Sequence, residues 1–305
     1  MPELDIAQYT AYLHGENGRV GWDDRLPEHV SVSQLQTFMK CPRQYQQEKV
    51  LGLATRTTEA LFVGTAVHIG VENALRLKID TGLDLESAKA VDKFTESWWP
   101  SALQAERELA SEDVLWDTVE DPENPGTPFG EARAKHRASQ MFGTYVRDVL
   151  PRLEPVAVEE EFLYPIPECP VPIRGRVDVR TKSGVIDLKT SANRKSKLEP
   201  SWMLQAAVYN AVTGLPVEFH AISCSERTNA VSIVTPLEVP GLLVSPSTSQ
   251  YREYMRNVRA LVAAIGSCMA RYGTEEDWPT LGFAHTFACN YCSFREGCPV
   301  WEQDW

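Results

Sequence analysis

The chain lacks any apolar run approaching the roughly 20 residues needed to cross a bilayer. Its opening, MPELDIAQYTAYLHGENGRV, has neither the basic start nor the apolar core of a signal peptide. Together these give the expectation of a cytoplasmic protein with no membrane role. An excess of positive charge is also missing: 30 Lys and Arg stand against 42 Asp and Glu, a net charge of −12. Such a surface repels polyanions at long range and excludes indiscriminate nucleic-acid binding. The seven cysteines are odd in number, and in a cytosolic chain they do not read as a disulfide framework. Internal repeats and low-complexity stretches are absent. What remains is ordinary for a soluble protein with a real core, 43% hydrophobic and 24% charged over 305 residues. That length suits one large domain or two small ones.

Charge is unevenly spread along the chain. Arg174, Arg176, Arg180, Lys182, Lys189, Arg194, Lys195 and Lys197 fall within one short segment, in which only Asp178 and Asp187 are acidic. The segment reads either as a solvated loop or as a local basic groove.

Residues 1–30 read as a polar arm. Ser31 or Ser33 is a suitable N-cap for a helix carrying Val32, Leu35, Phe38 and Met39, which the Cys41-Pro42 step should end. A second helix is expected from about Gly64 through Leu77. It carries Val67, Val71, Ala74 and Leu75 on one side and His68 with Glu72, four apart, on another. Residues 80–150 show no strand alternation and read as a helical insertion broken by a turn-rich loop, EDPENPGTPFGE. Their Trp98, Trp99 and Trp116 are either core residues or platforms for bases. From Val156 the texture changes. Strands are expected at 156–164, 173–180 and 184–189, with a tight Lys182-Ser183-Gly184 turn between the last two. A helix from Trp202 to Val212 stops at Gly214-Leu-Pro216, strands follow at 218–225 and 231–235, and a long helix runs over 249–272. Strands bracketed by helices indicate an α/β core.

The hairpin IRGRVDVRTKSGVIDLKTS sets Asp178 on one strand and Asp187 on the next, where their carboxylates can converge. Two carboxylates and a backbone carbonyl are the hard oxygen donors that Mg²⁺ or Mn²⁺ prefers. Strand alternation turns Asp187 and Lys189 to one side and Leu188 to the other. A lysine beside such a metal suits phosphodiester hydrolysis. An exposed, salt-bridged hairpin would read the same way. His68 is either a third metal ligand or a satisfied core histidine. Gln205 and Tyr209, four apart on the next helix, are either helix surface or groups able to meet DNA near the scissile phosphate.

The set Gly64-x-x-x-His68, Asp178, Asp187-x-Lys189 and Gln205-x-x-x-Tyr209, in this order, resembles the RecB-like branch of the PD-(D/E)xK nucleases. The opening Ser31-Val-Ser-x-Leu35-x-x-Phe38-x-x-Cys41-Pro-x-x-Tyr45 resembles it too. The resemblance spans roughly residues 31–300. It implies a restriction-endonuclease-like central mixed sheet flanked by helices. It assigns metal binding to His68, Asp178 and Asp187, catalysis to Asp178, Asp187 and Lys189, and DNA positioning to Gln205 and Tyr209, with basic residues such as Arg176 on phosphates. Glu72 is a further acidic candidate.

Cys289-x2-Cys292-x5-Cys298-Pro299 can present three thiolates to one centre, and Cys41 is the natural fourth. The spacing fits structural zinc or a 4Fe–4S cluster equally. One early and three late cysteines around a RecB-like core resemble the iron–sulfur nucleases of the AddB type and the CRISPR-associated exonucleases. That resemblance implies 4Fe–4S, a clip joining the 281–305 tail to Cys41 within a single domain over 31–305. By the same likeness the chain is an exonuclease on single-stranded DNA or DNA ends. It would work in repair, recombination or other DNA processing, with protein partners in those processes.

Overall fold

The computed structural model describes residues 27–109, 114–116, 120–121, 124–128, 130–166, 169, 171–225, 231–239, 249–280, 289, 292–298 and 301. Most of the arm expected at 1–30, and residues 281–288 of the tail, lie outside the described residues.

Helix α1 (Val32–Lys40) opens on a capping box. Gln34 N–H donates to Ser31 Oγ at 3.1 Å while Ser31 N–H donates to Gln34 Oε1 at 3.0 Å. It buries Val32, Leu35 and Phe38, whereas Met39, counted with them from the sequence, is exposed. Cys41 leaves it in an extended conformation ahead of Pro42. Just before α1, Val30 is buried and bridges in parallel to Ile173, so the fold already includes it.

Helix α2 (Glu59–Thr81) starts five residues earlier than its apolar pattern suggests. Thr58 caps it by accepting Leu61 N–H, and Gly82, at φ 71°, ends it in the left-handed conformation that glycine adopts without strain. The insertion contributes α3 (Ser87–Lys93), a π-helical turn (Phe94–Trp98), α4 (Trp99–Leu109) and α5 (Gly130–Asp148). Between α4 and α5 the segment expected as a loop instead holds a small antiparallel ribbon, β1 (Glu120–Asp121) with β2 (Asn124–Pro128). Strands this short carry no periodicity to read. The tryptophans are core residues: Trp99 is buried edge-on to Phe62 at 4.9 Å, Trp116 meets Phe62 at 5.7 Å, and Trp98 meets Phe142 at 5.7 Å.

The central sheet has the order β3 (Pro155–Tyr164), β4 (Ile173–Thr181), β5 (Val185–Ser191), β6 (Val217–Ser225), β7 (Val231–Glu238). All pairs are antiparallel except β5–β6, which helix α6 (Pro200–Thr213) connects as a crossover. One face packs Val158, Val179, Ile186, Leu188 and Ile222 against α2, α5 and the insertion. The other packs Phe162, Ile173, Val177, Val185, Phe219 and Ala221 against α1, α6 and α7 (Ser249–Tyr272). The α/β core with a mixed sheet between helices is therefore as expected. No helix among the described residues is long and apolar enough to cross a membrane.

Candidate active site

Asp178 and Asp187 sit where β4 and β5 separate. The ladder between these strands holds only Val179↔Ile186 and Arg180↔Val185. Beyond it Asp178 Oδ2, rather than a backbone carbonyl, accepts the Leu188 N–H at 2.8 Å. Burial, and then the charge of Asp187, push the Asp178 carboxyl well above the usual carboxylate range.

Asp187 is 1% exposed. Its Oδ1 accepts from Gln205 Nε2 at 2.7 Å and lies 3.2 Å from the Tyr209 hydroxyl. That hydroxyl also accepts from Gln205 Nε2 at 2.7 Å and is 2.8 Å from the Arg176 carbonyl, its other acceptor. Burial first, and the nearby carboxylates after it, raise the Tyr209 phenol well above its ordinary value, so it remains a donor. Gln205 and Tyr209, which the resemblance assigned to DNA, thus turn these polar atoms inward onto Asp187, and Tyr209 is buried. The Asp187 Oδ2 atom is buried and accepts no hydrogen bond, although Lys189 Nζ stands 2.6 Å away at ion-pair distance. Lys189 Nζ itself donates to Gln205 Oε1 at 2.8 Å and lies 5.6 Å from the Phe219 ring centroid.

His68 reaches the site because α2 lies tight on β5. A Cβ at Gly64 would come within 2.9 Å of Thr190 Oγ1, which explains the glycine one turn before the histidine. His68 Nδ1 is 3.5 Å from Asp178 Oδ2. Burial lowers its pKa, leaving a neutral imidazole with a lone pair near pH 7.

Glu159 on β3 was not among the residues singled out from the sequence. The ladder pairs Val158↔Val179 and Glu160↔Val177, so Glu159 and Asp178 face each other between them. The period-two alternation breaks here on both strands. Val158 and Val179 belong to one core, while Phe162 and Val177, at even spacing from them, belong to the other. Glu159 has φ 51°, a left-handed backbone unusual for a side-chain-bearing residue. Ligand atoms of His68, Glu159 and Asp178 lie within 4.8 Å of one another, and among the described residues this is the group at single-ion spacing. The expected set His68, Asp178 and Asp187 does not meet that spacing. Burial and the neighbouring Asp178 push Glu159 up to about 7, against the opposing pull of Arg176. The only sequence signal for Glu159 was the acidic run Glu159-Glu160-Glu161, one strand before the hairpin.

That run also corrects the picture of a basic groove opposed by two acids. Arg176 Nε pairs with Glu159 Oε2 at 2.6 Å, Arg180 grips Glu160 through two bonds at 2.5 and 3.0 Å, and Arg174 meets Glu161 at 3.3 Å. Lys195 pairs with Glu199. Lys182, Arg194 and Lys197 are exposed. Glu72 is held by Arg76 on its own helix at 2.7 Å. An open groove of about 350 Å³, lined by His29, Ser31, Gln34, Glu161, Arg174, Gly175 and Arg176, reaches the site at Arg176.

The cysteine tail lies beside the end of α1. Arg43 N–H donates to the Pro279 carbonyl at 3.1 Å, Trp278 stacks on Tyr45 at 5.9 Å, and Arg56 N–H meets Ser293 Oγ at 3.3 Å. Burial raises the Cys292 thiol, and Cys41 and Cys298 are near enough to add to that shift. None of the seven cysteines is in a disulfide. Tetrahedral zinc at about 2.3 Å needs its sulfurs about 4 Å apart. Among the described residues no cysteine group meets such a spacing.

No curated protein sequence matches the chain. A solved structure from Eubacterium rectale, named as a candidate exonuclease, superimposes with a TM-score of 0.50 at 14% identity, over 79% of this chain and 82% of that one. At that identity the likeness concerns the fold alone. The structure of SSO0001 aligns over 84% of this chain and 93% of its own at 12% identity, with a TM-score of 0.33, too low to support an argument. The family model of the PD-(D/E)XK nuclease superfamily matches residues 29–299. That match takes in the whole of the parted β4–β5 hairpin and the helices around it, and the chain belongs to the PD-(D/E)XK nuclease superfamily, a family of phosphodiester hydrolases.

Proposed function

We propose that the chain is a metal-dependent deoxyribonuclease of the RecB-like branch, an exonuclease acting on single-stranded DNA or DNA ends. The observation that carries this reading is the convergence at one parted hairpin of His68 and Asp178 with Asp187 and Lys189. The donors fit a hard divalent cation. Oxygen ligands dominate, the imidazole is neutral, and the buried Asp187 Oδ2 turns to the cleft with only the Lys189 ammonium beside it, at 2.6 Å. Mg²⁺ or Mn²⁺ would be held by His68, Glu159 and Asp178, whose ligand atoms stand at single-ion spacing, with Asp187 beside them, and would supply Lewis acidity toward a phosphodiester.

The chain's own residues do the rest. Gln205 and Tyr209 lock Asp187 Oδ1, so the carboxylate cannot rotate away from the cleft. Lys189, steadied by Gln205, keeps a positive charge where the phosphate gains negative charge during hydrolysis. Arg176, lining the groove and largely exposed, is the residue that meets a DNA phosphate, and half-buried Gln205 borders the strand. End-labelled single and double strands incubated with Mg²⁺ and, separately, with Mn²⁺ test the reading. Wild type shortens the strands from an end and Lys189→Ala does not. A wild type inert with both metals on every strand would leave a DNA-binding module of the same fold.

Cys41, Cys289, Cys292 and Cys298 are the ligand set for a 4Fe–4S cluster in this reading, with zinc as the alternative. The observation behind it is the tail packed beside the Cys41 turn, where Arg43 N–H donates to the Pro279 carbonyl; the thiols of the described residues do not themselves stand at ligand spacing. Anaerobically purified protein should be brown and Cys41→Ser should bleach it. A colourless protein with stoichiometric zinc decides for the alternative.

A further inference from the structure

We propose that Arg176 is a latch on the metal site, competing with the divalent cation for Glu159 and releasing it when a nucleic-acid phosphate occupies the adjoining groove. The inference rests on the metal centre described under Proposed function and adds to it a coupling between strand and metal.

Three observations carry it. Glu159 belongs to the one group of ligand atoms, with His68 and Asp178, gathered at single-ion spacing among the described residues. Its Oε2 is at present engaged by Arg176 Nε at 2.6 Å. Arg176 stands at a boundary, with its guanidinium on Glu159, its side chain 59% exposed, and an open groove against it. The Oε2 lone pair that Arg176 engages is denied to a cation, and the guanidinium charge disfavours a second positive charge at either oxygen of the same carboxylate. The pair is open to solvent on its Arg176 side, so the guanidinium can turn to another anion, while Glu159 stays largely buried toward the site. A phosphodiester is the competing anion that guanidinium matches best, through paired N–H donors. A strand in the groove therefore draws Arg176 outward and leaves Glu159 to the cation. A cation drawn to Glu159 likewise leaves Arg176 to the strand. Linkage requires the two effects to be equal in binding free energy.

Mn²⁺ binding, read from the free-ion signal in electron paramagnetic resonance, tests this without reference to activity. A short phosphorothioate oligonucleotide supplies the phosphate charge and resists hydrolysis. In wild type the oligonucleotide should tighten Mn²⁺ binding several-fold. Arg176→Gln should tighten it without the oligonucleotide and abolish the oligonucleotide's effect. Glu159→Gln should weaken it about tenfold or more. The signs for the two variants are opposite, so a general loss of structure cannot imitate both. If Arg176→Gln weakens Mn²⁺ binding, or the oligonucleotide changes nothing in wild type, the latch is overturned. Asp178→Asn separates the two readings. If it abolishes Mn²⁺ binding while Glu159→Gln and Arg176→Gln leave it unchanged, only the latch falls. If it too leaves binding intact, the metal centre itself is misplaced.

Discussion

Strand β5 has two unlike neighbours. Toward β6 seven residue pairs run in parallel register, from Val185↔Val217 to Ser191↔Ser223. Toward β4 only two pairs form before the strands part. On the closed side the backbone groups are spent on each other and the side chains beneath are core, as with Phe219, Ala221 and Ile222. On the parted side a backbone N–H is left over, Asp178 takes it, and two carboxylates come to share a partly desolvated cleft. Core packing lies along one edge of the strand and the candidate site along the other.

Substitutions on the two sides should therefore fail differently. The largest effect on chemistry is expected from Asp187→Ala, which removes the acceptor of Gln205 and Tyr209 and the partner of Lys189. Mn²⁺-dependent DNA degradation should fall below detection while circular dichroism stays native. On the closed side Ile222→Ala should do the reverse. Emptying a fully buried position costs about 2–5 kcal/mol in urea unfolding, and the remaining folded protein should keep its Mn²⁺ affinity. Comparable activity losses in both variants, with comparable loss of fold, would erase the distinction.

A smaller effect is expected at Gly64. Alanine there puts a methyl group 2.9 Å from Thr190 Oγ1, so either the Thr190 side chain turns or α2, with His68, shifts on β5. About 1–3 kcal/mol of stability should be lost, together with Mn²⁺ affinity. Lost stability with unchanged affinity would show that Thr190 gives way and leaves His68 in place.

The smallest effect is on pH dependence. Asp178 and Glu159 both have raised pKa values in the fold, so between about pH 4 and the raised values the native state holds protons that the unfolded chain has lost. Stability of the metal-free protein should then decline as pH rises through that window. Melting in chelator at pH 5 and pH 8 measures it, and Asp178→Asn should flatten the slope. A metal-free protein that gains stability across the same interval would contradict the shared-cleft electrostatics.

The elements themselves were readable because their signals are local. Ser31 with Gln34, and Gly214 after α6, mark helix ends through hydrogen bonds and backbone freedom confined to a few residues. Asp187 and Lys189 could be placed on one side of β5 because a regular strand alternates. The same rule hid Glu159, since alternation fails at its left-handed φ and at Asp178 opposite. Likewise the pairing of Arg174, Arg176 and Arg180 with β3 acids depends on register between strands. No window along one strand contains it.

The sequence by itself thus determined an α/β chain, the strands of its central sheet, some of its helix ends, and an Asp178–Asp187–Lys189 hairpin beside a Gly64–His68 helix. Tertiary structure decided that Gln205 and Tyr209 serve Asp187, that Glu159 joins His68 and Asp178, and that β5 is closed on one side and parted on the other. Local propensity is written into neighbouring residues. Which oxygen meets which donor across strands depends on register, burial and one unusual backbone angle, and these exist only once the sheet has formed.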